Sequence, residues 1–243
     1  MVVPQFLFSD GKFLKQDKLL ISPNNRSFRY GDGFFETMKW FKGEIQLEQL
    51  HLERLFSTLA TLKFKPPAYF TSEYIVNAVN ELVAKNQHHQ LARVRITIYR
   101  GDGGIYDEQN HFPHLLIQTW PLNEMNNRLN ENGLEIDIYA AAVKQADHFS
   151  LLKTNNYLGY AMAALWAKEL HLNDAVLLNS QGNIADATIA NIFVVSNGTI
   201  STPALSEGPV SGVMRKYVLK QLRERGYEIN EGVVTPSDLL NAS

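Results

Sequence analysis

Lys153, Asp186, Arg54 and a glycine-containing turn at 208–212 are the features whose residue types and settings could do chemistry. Lys153 follows Leu151-Leu152 and precedes Thr154-Asn155-Asn156-Tyr157. An amine is nucleophilic only when deprotonated; burial or a neighbouring cation favours that form and makes an imine with an aldehyde feasible. The helix expected behind Lys153 is rich in small and apolar residues, so this end is expected to be buried. The plainer reading is a solvated surface lysine. Asp186 lies inside the apolar run NIADATIANIF. A buried carboxylate needs a partner, and a protonated pyridine nitrogen would serve; the plainer reading is an acid on the polar face of a hairpin. The segment GPVSGVMR, Gly208 to Arg215, opens onto a helix. Backbone N–H groups and the positive dipole end there suit a phosphate, although a plain capped helix looks the same. Arg54, in HLERL, sits beside the apolar stripe of its helix, so its head group could turn inward to an anion or stay at the surface. Upstream, in NRSFRYGDGFFET, Gly31 and Gly33 permit unusual backbone angles.

Composition removes several alternatives. The chain has 243 residues, 45% of them apolar, enough for one large domain or two modest ones with a sizeable core. The net charge of -2 carries no basic excess, so nucleic acid is not expected as a partner. With no cysteine, disulfides, thiolate catalysis and cysteine-ligated metals are excluded. His111-Phe112-Pro113-His114 is too sparse for a metal site, and His88-His89 reads as loop. Residues 101–104, GDGG, lack the Lys-Ser/Thr of a phosphate-binding P-loop, and no Ser/His/Asp spacing suggests acyl transfer. The N-terminus has no basic start, and Pro4 and Gln5 break its apolar run, so no secretion signal is expected. No apolar stretch approaches the roughly 20 residues needed to span a bilayer. These features point to a soluble cytoplasmic enzyme with no membrane partner.

The elements that must position these groups follow from periodicity. Residues 2–8 are β-prone and precede the hairpin signal Asp10-Gly11; a second apolar run covers 19–21. Residues 34–41 read as a strand closed by a turn at Lys42-Gly43. Amphipathic helices are predicted over 46–62, with Leu47, Leu55, Leu59 and Leu62 on one stripe, and over 72–85. Residues 91–99 alternate cleanly, with Ala92, Val94, Ile96 and Ile98 facing one way, and residues 114–120 return as a strand. The polar stretch 121–133 is the best linker. Beyond it the pattern predicts a strand at 134–142, a helix at 156–170 capped by Asn155 or Asn156, and a strand at 174–179. A turn at 180–183 then leads to a long strand at 184–195. Asn197-Gly198 turns into 199–201, and a last helix runs from an N-cap at Ser211 to about Arg225, stopped by Gly226. This order predicts an α+β chain of two units: residues 1–120, a linker at 121–133, and 134–243.

Each signal is weak alone, but their order is not. The blocks NRSFRYGDGFFET, HLERL, YRGDGG, LLKTNNYL, GNIADATIANIF and GPVSGVMR closely resemble the fold-type IV family of pyridoxal 5'-phosphate (PLP) enzymes, the class IV aminotransferases, across nearly the whole chain. That family includes branched-chain and D-amino-acid aminotransferases and aminodeoxychorismate lyases. The resemblance implies a smaller N-terminal α/β domain, a larger β-rich C-terminal domain that binds the cofactor, PLP between them, and a homodimer. It also implies that Lys153 carries the cofactor and shuttles the proton, and that Tyr157 hydrogen-bonds the cofactor's 3-hydroxyl. Asp186 matches the acid beneath the ring nitrogen, and Arg54 grips the phosphate with the backbone amides of Gly212, Val213 and Met214. Tyr30 and Phe35 match positions that line the substrate pocket; apart from the resemblance, Arg95 and Arg100 are candidates for a substrate carboxylate or, equally, surface residues. Two departures stand out. The family usually has Glu at the position of Asp186, and usually runs some tens of residues past Ser243, so the C-terminal domain reads as either a shortened natural form or an incomplete one. The implied activity is amino transfer between an amino acid, branched-chain ones included, and a 2-keto acid. The alternatives are release of pyruvate and 4-aminobenzoate from aminodeoxychorismate, or a PLP-binding homologue with little catalysis.

Overall fold

The alternation at 91–99 dictates the centre of a sheet. In the computed structural model, described over residues 5–107 and 110–242, β5 (Leu91–Tyr99) turns Ala92, Val94, Ile96 and Ile98 onto one fully buried face. It pairs antiparallel with β3 (Gly33–Phe41), Phe35 opposite Thr97 and Glu36 opposite Ile96, and with β6 (His114–Pro121). Adding β1 (Phe6–Ser9), β2 (Lys12–Lys15) and β4 (Glu44–Ile45) gives an antiparallel six-stranded sheet in the order β2-β1-β6-β5-β3-β4. Val2, Val3 and Pro4, the start of the first predicted strand, lie outside the described residues.

Helices α2 (Glu48–Thr61) and α3 (Ser72–Lys85) cover one face of this sheet. Leu52, Leu55 and Leu59 from α2 meet Ile75, Val79 and Leu82 from α3 above Met38, Val94, Ile96 and Ile117. Each such side chain contributes about 1.5–3 kcal/mol of burial free energy. Leu47 does not join the stripe as the spacing predicts; it is the N-cap of α2, at φ 55, and His51 and Leu52 take the inward places. The apolar run at 19–21 forms no strand, and Leu20 is 93% exposed. A short helix, α1 (Arg26–Tyr30), is capped by the Asn25 side chain, which accepts from the Phe28 amide.

The chain divides into two compact units: Met1–Leu129 with Thr154–Asn156, and Asn130–Lys153 with Tyr157–Ser243. In the second, β7 (Ile136–Lys144) and β8 (Asp174–Asn179) pair in parallel, as strands joined by a crossover helix can; that helix is α4 (Leu158–Glu169). β9 (Ile184–Ala187) pairs antiparallel with β8. A second sheet joins β10 (Val194–Ser196), β11 (Thr199–Pro203) and β12 (Ile229–Gly232). β10 and β11 meet at Asn197-Gly198, both at positive φ as a tight hairpin needs, and α5 (Val213–Glu224) connects β11 to its parallel neighbour β12. α6 (Pro236–Leu240) opens with a reciprocal Thr235–Asp238 capping box.

Three local expectations are corrected. The strand predicted over 184–195 breaks after Ala187, whose N–H donates to the Ala190 carbonyl at 2.8 Å, and pairing resumes only at Val194. Neither Asn155 nor Asn156 caps α4: Tyr157 is its N-cap, and Asn155 instead donates to Ser27 Oγ at 2.9 Å. Ser211 is not the N-cap of α5. Gly212 is, while the Ser211 N–H donates to the Leu151 carbonyl. Gly226, at φ 81, stops that helix as expected. Among the described residues no helix is long and apolar enough to cross a membrane.

Candidate active site

In the second unit, β7, α4, β9 and the approach to α5 bring together the predicted lysine, tyrosine and acid. Lys153 is half-buried, not enclosed as its apolar neighbours suggest, and its Nζ lies 5.5 Å from the centroid of the Tyr157 ring. The Tyr157 hydroxyl donates to the Thr188 carbonyl at 2.6 Å, and a phenol oxygen in that role can still accept a hydrogen bond. One helical turn on, Tyr160 stacks against Tyr157 with ring centroids 4.4 Å apart and planes 25° apart. Its hydroxyl reaches both Asp186 oxygens, at 3.0 and 2.9 Å.

Asp186 is 2% exposed, so the polar-face reading of this acid does not hold. The Val210 N–H donates to its Oδ2 at 2.9 Å. Burial pushes its carboxyl above the ordinary range, opposed by the charge of Lys144, the Val210 and Tyr160 hydrogen bonds and the charge of Lys153. Lys144 is itself held below the usual lysine range by burial, against the pull of Asp186 and Asp147, and donates to the Ser150 carbonyl at 2.8 Å. A buried carboxylate, its ionised form favoured by the donors on one side and by two lysines near it, suits a cationic ring nitrogen.

Gly212 caps α5 with no side-chain hydrogen bond, and Val213 is buried while Met214 is exposed. The Asn191 side chain, which donates to the Val210 carbonyl at 2.8 Å, lies where a Cβ on Gly212 would sit, so any larger residue there must displace the Asn191 amide. The uncapped first turn of a 12-residue helix offers amide donors and a partial positive charge. Arg215 turns back into its own unit, donating to the Pro203 carbonyl and to Glu231.

In the first unit Arg54 is fixed from below. Its Nε and Nη2 donate to the two oxygens of Glu36, each at 2.6 Å, and His51 Nδ1 lies 2.8 Å from the same carboxylate. Glu36 is 1% exposed on the α2-facing side of β3. Burial would raise its carboxyl, but the hydrogen bonds and charges of His51 and Arg54 prevail and hold it below the ordinary range. Phe35 and Arg95 belong to the opposite face of the sheet by strand alternation, with the guanidinium 3.7 Å from the ring centroid. Tyr30 lies under the Arg29 and Arg26 guanidinium groups, at 4.9 and 5.8 Å. Arg100 is buried, with donors committed to Asp32 and to the Asn110 and Leu62 carbonyls; this braces its loop rather than presenting a free cation. Glu36, Tyr160 and Lys144 were not singled out by the sequence. Only the FFET block hinted at the first.

A hollow of about 410 Å³ beside Asp174, Thr188 and His171 is lined by none of the predicted site residues. Among the described residues no group of three His, Asp or Glu could hold a metal.

The amino-transferase class IV family model matches residues 33–243. The chain belongs to that family. Class IV aminotransferases are PLP-dependent enzymes. The chain is 30% identical to an aminodeoxychorismate lyase of Vibrio harveyi over 220 residues, covering 90% of this chain and 79% of the lyase. It is 26% identical to branched-chain-amino-acid aminotransferase 6 of Arabidopsis thaliana over 250 residues, 97% of this chain and 69% of that one. Its fold matches the branched-chain aminotransferase of Thermoproteus uzoniensis, solved with norvaline, at a TM-score of 0.85 and 24% identity, covering 99% of this chain and 82% of that one. The α+β, fold-type IV architecture implied by the ordered blocks is therefore this chain's fold. The donor set fits the family's cofactor: a lysine amine for its aldehyde, a buried acid for its ring nitrogen and an uncapped helix start for its phosphate.

Proposed function

We propose that this class IV enzyme exchanges an amino group between an amino acid, with branched-chain ones the first to test, and a 2-keto acid. The observation that carries the reading is Asp186, a carboxylate 2% exposed and tied to Tyr160 and Val210, in the unit that also holds Lys153. When bound, PLP supplies an aldehyde for amines and a protonated ring that draws electrons from the substrate's Cα. Lys153 would hold the cofactor through its amine and would carry the proton at the substrate's Cα. Asp186 keeps the proton on the ring nitrogen; the charge survives the loss of one methylene relative to glutamate. Tyr157 orients the ring through its 3-hydroxyl. The amides of Gly212, Val213 and Met214 would receive the phosphate, and Arg54, held by Glu36, is the cation that the resemblance assigns to it. Tyr30, Phe35 and Arg95 are the residues proposed to meet the substrate. The same reading makes the protein a cytoplasmic homodimer.

The 30% identity to an aminodeoxychorismate lyase favours a second reading, in which the same lysine serves elimination of pyruvate. One assay separates the two. Purified protein is given branched-chain amino acids with 2-oxoglutarate, and separately aminodeoxychorismate. Glutamate formation without 4-aminobenzoate supports amino transfer; the reverse supports the lyase.

A further inference from the structure

We propose that Tyr160 is a positioning residue for Asp186, its hydroxyl and the Val210 amide together holding the carboxylate in a single orientation, with Lys144 supplying the opposing charge. The inference rests on the reading of Asp186 as the partner of the cofactor's ring nitrogen.

The geometry is specific. The hydroxyl straddles the carboxylate, 3.0 Å from Oδ1 and 2.9 Å from Oδ2, and the Val210 N–H reaches Oδ2 from the chain leading into α5. A carboxylate gripped on both oxygens by one donor, and on one oxygen by a second, cannot rotate about its last bond without losing a hydrogen bond. Tyr160 is itself fixed. It stacks on Tyr157 at 4.4 Å, Lys144 Nζ lies 5.4 Å from its ring centroid, and it packs in a core with Ala163, Ala167, Ala175, Leu177 and Val210. Burial first, then the charge and hydrogen bond of Asp186, push its hydroxyl above the ordinary tyrosine range, so it remains a donor across working pH. Each hydrogen bond it gives makes the ionised acid less basic and leaves a shared proton on the ring nitrogen. A role in packing alone would be satisfied by phenylalanine, which keeps the ring and removes only the donor.

The test uses the holoenzyme carrying PLP labelled with ¹⁵N in its ring, where the nitrogen's chemical shift reports its protonation. Wild type, D186N, Y160F and a protein with 3-fluorotyrosine at position 160 are compared, together with cofactor dissociation constants measured by titrating the apo-proteins. D186N is expected to move the signal toward unprotonated pyridine. Y160F should move it part of the way and weaken cofactor binding about tenfold, the size of one hydrogen bond to a buried charge. Fluorotyrosine, a stronger donor of nearly the same shape, should move the signal the opposite way from Y160F, and it decides the matter even where Y160F folds poorly. If D186N shifts the signal while neither change at 160 does, the positioning role is overturned and the Asp186 reading stands. If D186N leaves the nitrogen protonated, the Asp186 reading itself falls, and this inference with it.

Discussion

Replacing Glu36 by glutamine tests the clamp beneath Arg54. The substitution preserves shape but removes the charge that receives two guanidinium N–H bonds at 2.6 Å and the His51 contact at 2.8 Å. Hydrogen bonds to buried charged groups contribute about 1.5–3 kcal/mol each; glutamine keeps one acceptor, and Arg54 retains some solvent, so the net loss is about 3 kcal/mol. The pH dependence carries the sign. The Glu36 carboxyl is held below the ordinary glutamate range in the folded protein by the hydrogen bonds and charges of His51 and Arg54, which outweigh its burial. A depressed acid contributes its full stability above the unfolded value and loses it as pH falls through the folded one. The E36Q penalty should therefore be constant at neutral pH and shrink once pH falls below about 4.5, where the unfolded chain's carboxyl binds a proton before the folded one does, until pH passes the folded value. Urea unfolding of the apo-proteins across pH measures this. Affinities for PLP and for pyridoxal, which lacks the phosphate, add the functional side: E36Q and R54A should both weaken PLP more than pyridoxal. A penalty under about 0.5 kcal/mol at pH 7, or one unchanged by acid, would refute the clamp, since that is the range of ordinary surface substitutions.

Lys153→Ala should abolish both the visible absorption of the reconstituted protein and all turnover, read by spectrophotometry and an amino-transfer assay. Asp186→Glu, although it restores the family's usual acid, adds a methylene to a site already filled by Tyr160 and Val210, and should cost about 1–3 kcal/mol in urea unfolding. Gly212→Ala places a methyl against Asn191 and should weaken PLP binding in fluorescence titrations; adding Asn191→Ala should recover part of the loss.

Much of this was readable in the linear chain because it depends on local pattern. The alternation at 91–99 and the helix at 72–85 survive intact, since their apolar positions face one core. Lys153, Tyr157 and Asp186 were legible through ordered blocks rather than through their immediate neighbours. Glu36 was not, because an acid in FFETMKWF gives no sign that Arg54, 18 residues later, will reach back to it. Tyr160 looks like any aromatic on an apolar helix face until the fold sets it 2.9 Å from Asp186. The caps were misplaced because a cap is a matter of local backbone geometry that residue type alone does not give: Tyr157 and Gly212 hold the half-helical positions, while Asn155 Nδ2 donates to Ser27 and the Ser211 N–H to the Leu151 carbonyl. The strand broken after Ala187 shows the limit of propensity, since β-branched residues continue through a bend closed by Ala187 and Ala190.

The borders of the six-stranded sheet also matter to the protein before it meets any cofactor. One rim is only the two residues Glu44–Ile45, and the other is a four-residue strand begun and ended by Lys12 and Lys15. A foreign strand seeking to extend the ladder meets either too few backbone groups to grip or a pair of cations to desolvate. Each outermost strand is thus a poor template for a further strand, whatever the sheet binds on its faces.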